Sequence, residues 1–232
     1  MRTTRNYGEL VKHIDESWEF ISTKLSNFVE TTTGLEFLEN EYIKKTIRTP
    51  ILANTKMCKD QINLLEDAFE NYYKDEPIDI LEIGAGYGNF CKLLHESKLF
   101  NISSYTILDN KGMLACSKRY LDFNKISAQF ISAENYFDAI NKKYDLVISI
   151  QCLSETPKEY RETILTKLVD QKVDLFLIDG DKNNPEVFAF YKNLIDTNYE
   201  NNIVTSKNIN EICYGDSGDR GIYLIVGKKF HG

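Results

Sequence analysis

Ile78-Asp79-Ile80-Leu81-Glu82-Ile83-Gly84-Ala85-Gly86-Tyr87-Gly88 is the stretch that decides how this chain folds. Its first six residues form a β-branched run of the kind that makes a strand. The next five carry glycine at every second position, which lets the backbone turn tightly and lets a ligand approach the main chain. Apolar residues at helical spacing follow, from about Tyr87 to Ser97. The glycines therefore sit where a strand feeds a helix, and the first N–H groups of that helix are offered to a polar or anionic ligand.

Downstream, the same alternation repeats. Strand-like runs occur at Ser104–Leu108, Ser127–Ile131, Asp145–Ile150 and Asp174–Ile178. Helical segments lie between them, through Leu114 and Tyr120, from Lys158 to Val169, and from Pro185 to near Asp196. Asp145–Ile150 is almost wholly apolar, as a strand covered on both faces should be. Ile203–Ile209 and Gly221–Val226 read as two closing strands around a polar loop, Glu211 to Arg220. Strands alternating with helices imply βαβ units and a mostly parallel sheet. The expected fold is α/β and Rossmann-like, with seven strands.

Upstream of Pro77 the periodicity is helical. Val11, Ile14, Trp18, Ile21, Leu25 and Phe28 form one apolar stripe, broken by Thr31-Thr32-Thr33-Gly34. A shorter helix carries Leu35, Leu38, Tyr42 and Ile43, and a third runs from about Thr55 to Tyr73. The spacing predicts an amino-terminal helical extension over 1–76 and the α/β domain over 77–232. The Trp18 stripe suits packing on the main domain; a homodimer contact through these helices is its other use.

Composition narrows the classes. A net charge of −7 with no Lys/Arg-rich run argues against a general nucleic-acid binder. Five cysteines with no CxxC spacing indicate neither a disulfide framework nor a zinc site. No apolar run spans a bilayer and no leader pattern opens the chain, so a cytoplasmic protein without membrane insertion is expected.

The glycine loop departs from the dinucleotide pattern G-x-G-x-x-G, because Gly88 comes one position early and Asn89 takes the place of the third glycine. Two residues before Gly84 stands an acid, Glu82. Asp109 ends the second strand, where a carboxylate can accept hydrogen bonds from both hydroxyls of a ribose. Ser132-Ala133-Glu134 follows the third strand and Gln151 the fourth. Acid, then x-G-x-G-x-G, resembles motif I of class I S-adenosylmethionine-dependent methyltransferases, and the resemblance runs from about Ile78 to Asp181. It implies S-adenosylmethionine as cofactor and S-adenosylhomocysteine as product. By the same resemblance Glu82 serves the methionine ammonium end, Asp109 the ribose, and Ala133 and Glu134 the adenine. Gly84, Ala85, Gly86, Tyr87 and Asn110 complete the cradle, with Gln151 beside the methyl group.

The phrases Leu81–Gly88, Tyr105–Asp109, Ser117–Leu121 and Ile150–Glu155 are similar to those of bacterial sugar O-methyltransferases. This implies an enzyme of class EC 2.1.1.- that methylates a hydroxyl of a sugar or nucleotide-linked glycan precursor in polysaccharide decoration. A sugar hydroxyl is a weak nucleophile, so a general base is expected. Glu155, just after the fourth strand, and His13, on the amino-terminal helix, are the candidates. Glu155 is equally readable as a carboxylate favoured near a helix start. His95 reads as a packing residue. Asp179 and Asp181 end the fifth strand and present two readings: a magnesium-binding pair, which would make the protein a metal-dependent small-molecule methyltransferase, or a turn with an Asp cap. The leading reading needs no metal. A non-catalytic subunit that binds the cofactor is the alternative from a different class.

Overall fold

The computed structural model describes residues 51–73, 76–180, 184–199, 201–205, 209, 212 and 221–229. Helix α1 is Ile51–Phe69. Strand β1, Pro77–Ile83, leads to α2, Asn89–Ser97. Strand β2, Asn101–Asp109, leads to α3, Lys111–Phe123. After β3, Gln129–Ser132, come a single 3-10 turn at Ala133–Asn135 and the short α4, Tyr136–Ile140. Then follow β4, Leu146–Ile150, and α5, Lys158–Asp170. Strand β5, Asp174–Asp179, leads to α6, Pro185–Asn198, and the sheet closes with β6, Asn201–Thr205, and β7, Tyr223–Lys228.

These seven strands make one sheet in the order β3-β2-β1-β4-β5-β7-β6. The first five pair in parallel, and β7 runs antiparallel to both β5 and β6. The chain works outward from β1 in one direction to β3, then returns to β4 and works outward in the other. The strand order thus reverses between β1 and β4, and in open α/β sheets ligands bind beyond the carboxyl ends at such a reversal.

Alternation along the strands builds two cores. Ile78 and Ile80 of β1 and Phe176 and Ile178 of β5 face α1, α2 and α3, meeting Leu65, Phe69, Phe90, Leu94 and Leu121. Leu81 and Ile83, with Leu175 and Leu177, face α5 and α6, meeting Ile164, Leu165, Leu168, Val187 and Ile195. β5 is buried along its whole length, and β4 along all but its last residue, which accounts for their nearly unbroken apolar sequences.

α1 shares the first of these cores with the sheet, so from Ile51 on the expected amino-terminal extension is a layer of the same packed body. Its lower end is fastened by a buried acid. Asp174, at the start of β5, accepts hydrogen bonds from the Tyr73 hydroxyl, the Tyr72 hydroxyl at 3.1 Å and the Lys229 N–H. Its other end approaches α2, where Asn89 Nδ2 lies 3.9 Å from Cys58 Sγ. α1 therefore runs down from the carboxyl edge of the sheet to the amino edge. The Trp18 stripe, His13 and the shorter helix before Pro50 lie outside the described residues. No helix among the described residues is long and apolar enough to cross a membrane.

Candidate active site

The glycine loop closes over the end of β1 as a succession of left-handed residues, Gly84 at φ 80°, Gly86 at φ 58° and Gly88 at φ 90°. Gly84 N–H donates to Leu108 O at 2.9 Å, which extends the β1–β2 ladder by one residue. A Cβ added at Gly84 would lie 2.3 Å from Cys152 Sγ, so glycine here lets the loop after β4 pack directly on the turn. A Cβ at Gly86 would meet no other described residue within 4 Å. Gly86 thus presents bare backbone to open space, the property a closely approaching ligand needs.

Asp109 is tied to that turn. Its Oδ2 accepts from the Gly86 N–H at 3.1 Å and its Oδ1 from the Asn110 N–H at 2.7 Å. An ionised carboxylate has about four lone-pair positions and can accept from several donors at once. The cap of α3 is Asn110, whose side chain accepts from the Met113 N–H at 2.9 Å. Asp109 is therefore not the helix cap, and the Asn110 side chain is already committed within the protein.

Glu82 lies below the turn, 3% exposed, and its Oε2 accepts from the Tyr105 hydroxyl at 2.7 Å. Burial raises its pKa to about 7; the Tyr105 hydrogen bond works against that rise and the nearby Asp109 charge adds to it. Tyr87 behaves differently from its neighbours in the loop. Its side chain is buried edge-on against Tyr120, with ring centroids 5.2 Å apart, so what this residue offers a ligand is backbone. Asn89, standing where a dinucleotide site has its third glycine, is buried and accepts from the Tyr120 hydroxyl at 2.9 Å. It locks α2 against α3, so that position has a packing role.

On the far side of Asp109, β3 ends in register with it at Ser132. The turn that follows holds Ala133, half-buried, and Glu134, exposed and ion-paired with Lys111 at 2.6 Å. On the near side, β4 is followed by Gln151, a non-glycine residue at φ 51° whose N–H donates to Ile178 O at 2.7 Å. A left-handed residue with a side chain costs roughly 1–2 kcal/mol, and such strain collects at functional sites. Cys152 follows, half-buried and packed against Gly84; desolvation holds its thiol pKa well above the usual value, so it stays a protonated packing group. A 3-10 turn, Leu153–Glu155, then carries the exposed Glu155.

Asp179 organises this turn. It is fully buried and accepts from Ser154 N–H at 2.8 Å, Ser154 Oγ, Gly180 N–H at 2.8 Å and Tyr191 Oη at 2.9 Å. With four donors on its two oxygens it faces into the protein, and the reading of Asp179 with Asp181 as a magnesium pair loses its first ligand. The reason is that Ser154 and Tyr191 come to it from other elements. Asp181 lies outside the described residues, and no group of three or more metal-ligating side chains occurs among the described ones. His95 is the packing residue expected, its Nδ1 2.8 Å from Cys91 O and its ring 5.4 Å from Tyr105. His13, His231 and the Tyr214–Arg220 loop also lie outside the described residues.

Sequence reasoning missed Tyr105, Cys152 and Ser154. The one available signal was parity, since Tyr105 and Asp109 fall on the same face of β2.

The chain matches no family model and no curated protein. Its fold does match solved structures. An rRNA methylase from Streptococcus thermophilus superposes with a TM-score of 0.54 at 14% identity, over 73% of this chain and 97% of that one. The methyltransferase domain of bacterial CtHen1-CN gives 0.53 at 13%, over 75% and 99%. The plantazolicin methyltransferase BpumL, in complex with a pentazolic desmethylPZN analog and SAH, gives 0.51 at 12%, over 95% and 99%. This is the Rossmann-like methyltransferase fold. At such identities the likeness establishes architecture, and the chemistry must be argued from the residues at the carboxyl edge.

Proposed function

We propose that this protein is an S-adenosylmethionine-dependent methyltransferase acting on a hydroxyl of a sugar or nucleotide-linked glycan precursor. The observation that carries the cofactor half is the open glycine turn with Asp109 bound across it. Bare backbone at Gly86, a carboxylate at the end of β2 and a buried acid beneath the turn suit a ligand that is a nucleoside at one end and an amino acid at the other. Asp109 takes the ribose hydroxyls, Glu82 the ammonium end, and Ala133 and Glu134 the adenine edge. Gln151, at the end of β4, stands beside the methyl group.

When bound, the cofactor supplies an electrophilic methyl on a sulfonium. The protein's contribution is to hold an acceptor oxygen in line with that methyl and to take its proton. Glu155 is the carboxylate assigned to the proton, being exposed on the turn that Asp179 fixes. The acceptor half rests on the resemblance of Tyr105–Asp109 and Ile150–Glu155 to sugar O-methyltransferases. The net charge of −7 favours a small acceptor over a polyanion. The loop after β4 is fastened by the hydrogen bonds of Ser154 to Asp179.

Calorimetry with S-adenosylhomocysteine tests the cofactor half, and no heat of binding to folded protein contradicts it. Asp109→Ala should raise the dissociation constant roughly ten- to hundredfold, because hydrogen bonds to a charged acceptor are worth ~1.5–3 kcal/mol. An unchanged constant in that variant would show that the site is misplaced. Methyl transfer to nucleotide sugars, followed by mass spectrometry, tests the acceptor half.

A further inference from the structure

Glu82 is a carboxyl group in an unusual position. It is 3% exposed, and among the described residues its hydrogen-bond partner is the Tyr105 hydroxyl, itself 2% exposed. The titratable groups that face it can be named element by element. α1 brings Cys58, α2 brings Cys91 with His95 behind it, and β2 brings Tyr105 and Asp109. The loop after β4 adds Cys152. The two cysteines on α1 and α2, and Cys152, are held protonated by burial, and Tyr105 is likewise neutral. The remaining negative neighbour is Asp109, whose charge disfavours a second one nearby.

We propose that Tyr105 is a positioning residue that fixes the buried Glu82 carboxyl as a proton-exchanging seat for the cofactor's ammonium group, so that cofactor binding releases a proton. This rests on the methyltransferase reading given above. The physical argument has two steps. Without a cation, a buried carboxyl beside a second carboxylate keeps its proton, because no cation among the described residues compensates the charge. An ammonium group placed against it supplies the compensation, and the proton leaves to solvent. The Tyr105 hydroxyl donates to whichever form accepts and holds the carboxyl in one orientation. It favours the charged form, so it also sets the pH at which the exchange occurs.

The experiment is isothermal titration of S-adenosylhomocysteine into the full chain between about pH 5.5 and 7, in pairs of buffers with different ionisation enthalpies. In this window the ligand's own carboxylate and ammonium keep their charges. Binding should release a fraction of a proton, and affinity should fall towards tenfold per pH unit on the acid side. Tyr105→Phe should weaken binding several-fold at neutral pH and below, and in titrations carried on to about pH 8.5 the deficit should shrink towards the wild-type affinity, the ligand's own titration affecting both proteins alike. A residue with only a packing role would lower affinity equally at every pH, and that result overturns the proposal. Glu82→Gln keeps His95 and should abolish the proton release; release that survives in it also overturns the proposal. Binding with no proton release in the wild type rejects this inference alone. The lack of any binding heat at any pH rejects the cofactor reading as well.

Discussion

Gly86→Val should lower the affinity for S-adenosylhomocysteine by at least about a hundredfold while the chain still folds. Gly86 has φ 58°, and a Cβ placed there points into space where no other described residue comes within 4 Å. A valine would therefore occupy the volume assigned to the ligand without meeting the core. It would also force a β-branched residue into the left-handed region, a strain of order 1–3 kcal/mol. That strain should appear as a lower urea midpoint with an unchanged denaturant slope. Wild-type affinity in this variant would mean that no ligand approaches the turn.

The second large effect is on stability. Asp179→Ala removes the acceptor shared by Ser154 N–H, Ser154 Oγ, Gly180 N–H and Tyr191 Oη, in a place with no access to water. Hydrogen bonds to a charged group are worth ~1.5–3 kcal/mol, and buried donors left without partners cost ~1–3 kcal/mol, so a loss of at least about 3 kcal/mol is expected. The loop that carries Gln151, Cys152 and Glu155 loses its fastening, and Cys152 packs on Gly84, so cofactor affinity should fall as well. Urea unfolding and calorimetry on the same preparation read both effects. A magnesium site at this carboxylate would behave otherwise: the wild type would gain stability from added magnesium, and the variant would lose only that gain. Such a result would overturn the assignment of Asp179 as an internal fastening.

The sheet was legible in the sequence because each central strand is an apolar run between polar turns. The periodicity failed where an element is short or polar. β2 begins at Asn101, three residues before its apolar part, because Asn101 and Ile102 pair with Pro77 and Ile78 of β1. α4 is five residues long, too short for a helical period to show, and its neighbouring turn at Ala133–Asn135 read as loop. β6 ends at Thr205, short of the Ile209 expected.

At the site, the residues legible in advance were those with a fixed place in the βα turn: Glu82, the glycines and Asp109. What escaped was contact between distant positions. Tyr105 bonds Glu82 across 23 residues, and Ser154 reaches Asp179 across 25. An acid at a strand end looks the same in sequence whether it faces solvent or turns inward. Only the placement of Ser154 and Tyr191 around Asp179 decides between them.

The central claim is that the crevice between β1 and β4 holds a nucleoside-linked amino acid, and a crystal structure of the complex with S-adenosylhomocysteine tests it most directly. The account predicts both ribose hydroxyls on the Asp109 carboxylate, the ligand backbone passing over Gly86, and the ammonium group on the side of Glu82. A ligand seated elsewhere, with no ribose hydroxyl on Asp109, would contradict it.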